Sequence, residues 1–166
     1  MSHKQAGGRL ERELAGEKFI IGAEVVTTRG YPQHEQAIPS VALARALLED
    51  ERIGWISITD SPGGTPMLPP DWLAGFFPEQ RERIVVHLTC KDLNRNALEA
   101  YAWRLAAEGI RNILALTGDY PTAGFGGAPQ PVFDLDSVGL IYLLSAMNRG
   151  LEVPGRGGKK QTLPPT

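Results

Sequence analysis

A single cysteine, Cys90, leaves nothing to pair with inside the chain, so an internal disulfide framework is excluded. Three scattered histidines show no zinc-ligand spacing, and metal chemistry has no support. No stretch reaches the roughly 18 apolar residues of a membrane span, and the N-terminus lacks the apolar core of a secretory signal, which makes the cytoplasm the expected location. Excess charge is missing too: the formal net charge is −2, and the few Lys/Arg clusters, such as Arg156 to Lys160, sit in a terminal tail. Such a balance provides no field for polyphosphate backbones, and nucleic acid is not an expected partner.

What is present suits one globular domain: 166 residues with 42% hydrophobic content. Residues 1–16 read as a polar leader or helix and residues 151–166 as a flexible tail rich in Gly, Pro and Lys. Between them, apolar runs beginning near Phe19, Trp55, Ile84 and Asn112 recur at intervals of roughly thirty residues. Pro39 suits the first turn of an intervening helix with Val41, Ala44 and Leu48 facing inward, and Gly54 reads as its stop. Pro66 to Arg83 has no clean period and predicts a loop with one helical turn near Asp71 to Phe76. Asn94 caps the clearest helix, with Leu98, Tyr101, Ala102 and Leu105 on one face and Gly109 after it. Leu140, Leu143, Leu144 and Met147 mark a last helix stopped by Gly150.

The alternation predicts an α/β fold of parallel βα repeats with right-handed crossovers. Four units are about half of a TIM-type (β/α)8 barrel, which typically takes about 250 residues, so the expectation is a half-barrel, a truncated barrel or a chain completed by a partner.

Strand ends of βα repeats face one surface, which converges three polar groups: Glu24, His87 and Asp119. Glu24 interrupts an apolar run, where desolvation would raise its pKa and keep a useful proton near neutral pH; the alternative is a carboxylate paired with Arg29. His87 is a ring donor for a phosphate or a flavin-type heterocycle, with Thr89 adding a hydroxyl, or else a satisfied core histidine. Gly118 permits close approach to the backbone, and Asp119 either accepts from an amino-heterocycle or caps a turn before Pro121. Cys90 reads as an inert buried thiol. Gly124, Gly126 and Gly127 match neither a P-loop nor a dinucleotide fingerprint.

Glu24 on the first strand, Thr59 after Ile-Ser-Ile, His87-Leu88-Thr89-Cys90, and Ala115-Leu116-Thr117-Gly118-Asp119-Tyr120-Pro121 together resemble the methylenetetrahydrofolate reductase family, in the same order over about residues 17–150. The resemblance implies an FAD-containing barrel that reduces 5,10-methylenetetrahydrofolate to 5-methyltetrahydrofolate with NAD(P)H. It casts Glu24 as the acid that protonates the folate nitrogen and Asp119 as the carboxylate that contacts the pterin and tunes charge beside the flavin. Thr59, His87 and Gly118 match flavin-contacting positions. The chain departs from many members in carrying Thr117 in place of Arg, and Val25 to Gly30 in place of a Phe-rich, Pro-Pro segment. Activity is expected to need the other barrel half, from further chain, a second half-barrel chain or a homo-oligomer. Two other functions share these features: a non-catalytic flavin- or pterin-binding assembly subunit, and a pterin-dependent methyltransferase module.

Overall fold

The computed structural model describes residues 8–32, 38–122 and 124–166. Residues 1–7 of the leader and position 123 of the loop after the fourth strand lie outside the described residues. The elements run α1 (Arg9–Leu14), β1 (Ile21–Val25), α2 (Pro39–Glu49), β2 (Ile53–Ile58), α3 (Pro70–Ala74), β3 (Ile84–Thr89), α4 (Arg95–Ala107), β4 (Asn112–Leu116), α5 (Ser137–Arg149), β5 (Glu152–Pro154) and β6 (Lys160–Thr162). β1 to β4 form one parallel sheet in sequence order, part of a TIM-barrel-like βα repeat. No described helix is long and apolar enough to cross a membrane.

The two faces of the sheet are set by strand alternation. Val25, Ile56, Ile58, Ile84 and Val86 turn toward the helices and pack with Val41, Ala44, Leu48, Leu73 and Leu105. Leu88, Cys90, Leu98 and Leu140 form a second cluster beneath α4 and α5. Each fully buried aliphatic side chain contributes about 1.5–3 kcal/mol of transfer free energy. Asn94 caps α4 by accepting from Ala97 N–H, and Asp136 caps α5 by accepting from Gly139 N–H. Gly109 and Gly150 follow these helices at φ +76° and +98°, conformations that a side chain would strain.

Two expectations are corrected. Gly54 does not stop α2, which ends at Glu49 before a turn in which the Asp50 carboxylate accepts from Arg52; Gly54 belongs to β2, which starts at Ile53 rather than Trp55. Glycine is needed there because a Cβ would lie 2.6 Å from Ile20 Cγ2. Arg83 fixes this corner by donating to the carbonyls of Leu48, Ile53 and Gly54.

Residues 151–166, which read as a flexible tail, contain a hairpin. β5 and β6 pair antiparallel, with Glu152 opposite Thr162 and an ion pair of 2.9 Å from Lys160 to Glu152. Thr166 N–H further donates to Met147 O at the end of α5.

Candidate active site

The face of the sheet turned away from the helices carries Glu24, Ser57, Val85 and His87, because the register sets Glu24 beside Ser57 and Ser57 beside Val85. Glu24 Oε2 reaches to 4.0 Å from His87 Nε2 across β2. Burial pushes the His87 imidazole below its ordinary pKa, partly offset by the charges of Glu24 and Asp60. A neutral ring at that distance makes neither an ion pair nor a hydrogen bond with Glu24.

The enclosure expected around Glu24 is absent: its side chain is 61% exposed. The cause is position, since β1 is an edge of the sheet and no strand among the described residues pairs with it on the far side. No ion pair joins Glu24 to Arg29 among the described residues.

His87 and Thr59 are in the opposite condition. Both are buried, at 6% and 4% exposure, and neither His87 Nε2 nor Thr59 Oγ1 has a hydrogen-bond partner among the described residues. Thr59 is held there by its own N–H, which donates to Val25 O at 3.1 Å. Two orphaned polar atoms at the same ends of adjacent strands are costly, at about 1–3 kcal/mol each, unless a ligand or an ordered water satisfies them.

Gly118 follows β4 at φ +91°, and a Cβ there would lie 3.0 Å from Thr89 Cβ and 3.1 Å from Lys91 Cβ. The backbone of 118 thus lies directly against the end of β3. Asp119 is exposed, and its Oδ2 accepts from Gly63 N–H at 2.6 Å in the loop after β2, rather than contacting Glu24 or His87. Thr117 accepts from Ser137 N–H at 3.0 Å and so serves the start of α5. Cys90 is fully buried, donates weakly to Asp136 O, and has its thiol pushed up by burial.

Two residues of this surface escape sequence reasoning. Asp60, just after β2, accepts from both Thr89 N–H (3.2 Å) and Thr89 Oγ1 (2.6 Å), clamping β2 to β3 beside His87. Lys91 is 2% exposed and pairs with the Asp92 carboxylate beside the backbone of Gly118. Both partnerships are local to the fold, not to any motif; only the strand-end position of Asp60 hints at a role.

A concavity of about 940 Å³ lies at the opposite end of the sheet, among Arg9, Glu13, Phe19, Gly54 and Arg83. There Arg9 pairs with Glu13 at 2.7 Å and Arg83 donates to three carbonyls. The chemistry-bearing residues are at the other end, as in βα-repeat proteins generally. No group of three or more His, Cys, Asp or Glu that could hold a metal occurs among the described residues.

The methylenetetrahydrofolate reductase family profile matches residues 9–141, which takes in all four parallel strands and every strand-end residue described above. The chain belongs to the methylenetetrahydrofolate reductase family. A folate-related, reductase-like function follows at the level of the family, as does the barrel fold of which β1 to β4 are a part, and the family is generally flavin-dependent. No curated protein matches the chain.

Proposed function

We propose that this chain supplies the strand-end face of a flavoenzyme that reduces 5,10-methylenetetrahydrofolate to 5-methyltetrahydrofolate with NAD(P)H in the cytoplasm, the remaining barrel wall coming from further chain or from a partner half. The observation that carries the reading is the pair of buried, unpartnered atoms, His87 Nε2 and Thr59 Oγ1. A planar heterocycle with ring nitrogens and carbonyl oxygens satisfies both. FAD fits these donors; when bound, it passes two electrons from the nicotinamide to the folate.

The residues of the chain then divide the work. His87, neutral and buried, orients the ring by one hydrogen bond without adding charge. Thr59 fixes the ring edge. Glu24, beside His87, delivers the proton that opens the bridged folate at its nitrogen to an iminium, and the stacked ligands cover the carboxyl that is exposed in the free chain. Asp119 accepts from the amino group of the pterin and offsets positive charge on the iminium.

One observation favours a second reading. The 61% exposure of Glu24 suits a chain that binds flavin or pterin without turnover. Glu24→Gln separates the two in the assembled enzyme. Folate reduction should be lost while NAD(P)H oxidation by a quinone acceptor is retained, because only the folate half of the reaction takes the proton. Parent-rate folate reduction in Glu24→Gln would make Glu24 a structural carboxylate.

A further inference from the structure

The loops after β2 and β4 are laced together past the end of the intervening β3. Gly63 N–H donates to Asp119 Oδ2 at 2.6 Å, Thr122 Oγ1 donates to Gly63 O at 2.9 Å, and Thr122 N–H donates to Gly64 O at 3.2 Å. This strap needs an unusual backbone: Ser61, Gly63 and Gly64 all have left-handed φ, at +46°, +64° and +69°. Gly64 has no room for a side chain, since a Cβ would lie 2.1 Å from Tyr120 O and 2.9 Å from Thr122 N. A non-glycine residue with positive φ and a glycine pressed onto a neighbouring backbone are costs the fold meets to bring these two loops together.

We infer that Thr122 and Gly64 are positioning residues for Asp119: by fixing the Gly63 N–H against Oδ2, they aim the second carboxylate oxygen, Oδ1, at a pterin amino group lying over the strand ends. The inference rests on the folate reading above and deepens it. Among the described residues no hydrogen bond occupies Oδ1, so the carboxylate has one oxygen tied and one available. An untied carboxylate on an exposed loop samples several rotamers, and holding it in one removes that cost from binding.

The test is a double-mutant cycle read by the Kd of 5-methyltetrahydrofolate in the assembled enzyme, with hydrogen exchange of the Gly63 amide measured alongside in the chain itself. Thr122→Val keeps the backbone N–H and shape but removes the hydroxyl. It should weaken folate binding about fivefold, the weight of one ordinary hydrogen bond, and speed Gly63 exchange, while Thr122→Ser restores both. In an Asp119→Ala background, Thr122→Val should cost nothing further, because a positioning residue has no effect once its client is gone. Gly64→Ala should loosen the strap more than Thr122→Val. An equal fivefold loss from Thr122→Val with and without Asp119, or unchanged Gly63 exchange in Thr122→Val, would overturn the inference. If Thr122→Val speeds Gly63 exchange but Asp119→Ala leaves folate affinity at the parent value, the strap still positions Asp119 and it is the folate reading that falls.

Discussion

β3 presents two regions of opposite character within six residues. Ile84, Val86 and Leu88 face the helices, are fully buried, and pack in the two apolar clusters. His87 and Thr89 lie on the other face, equally hidden from water, yet His87 Nε2 is unpartnered and Thr89 depends on Asp60 across the strand gap. The first side is packed for stability. The second retains a buried polar atom with no partner among the described residues, a stability cost that the first side does not carry. The same contrast separates Ile58 from Thr59 at the end of β2.

Mutations on the two sides should therefore have opposite signs. Leu98, fully buried between α4 and the sheet, has the largest expected effect: Leu98→Ala should lower unfolding free energy by about 2–5 kcal/mol in a denaturant titration, through lost burial and a cavity. A loss below about 1 kcal/mol would mean that the helix side of β3 is not packed as described.

The pH dependence of stability comes next. Burial holds the folded His87 pKa below its ordinary 6.5, so on acidification the unfolded chain takes up the proton first. Above that pH the ring is neutral in both states and adds no pH dependence, and stability falls as pH drops below it toward the folded value. Between about pH 7.5 and 5.5 the urea midpoint should fall, and His87→Gln should flatten that fall. A His87→Gln profile as steep as the parent's would place the titration elsewhere.

Thr59→Val has the smallest effect, and the reverse sign. Replacing an unpartnered buried hydroxyl by a methyl should raise stability by up to about 1 kcal/mol. Destabilisation by Thr59→Val would show that the hydroxyl is already satisfied in the free protein.

The helix side was legible from the sequence because its signals are local. The period of Leu98, Tyr101, Ala102 and Leu105, the Asn94 cap and the glycines at 109 and 150 all act within a few residues of themselves. β3 was legible because Ile84, Val85, Val86 and Leu88 make a short, continuous and β-branched run, as suits a strand covered on both faces. What escaped depends on distant partners. Gly54 reads as a helix stop until Ile20 is seen against it. Asp60 serves a residue 29 positions away, and Asp119 one 56 positions away. The exposure of Glu24 follows from β1 being an edge strand, which no local pattern encodes. The hairpin of β5 and β6 hides in a Gly-, Pro- and Lys-rich composition that reads as tail.

The central claim is that the unpartnered atoms of the strand-end face are ligand positions. FAD titration of the protein, followed by quenching of flavin fluorescence, tests it most directly when parent and Thr59→Val are compared. The account expects saturable quenching in the parent and at least about fivefold weaker binding in the more stable variant, the loss of one hydrogen bond to the ring. Equal affinity of the two proteins for FAD, with Thr59→Val stabilised all the same, would contradict it.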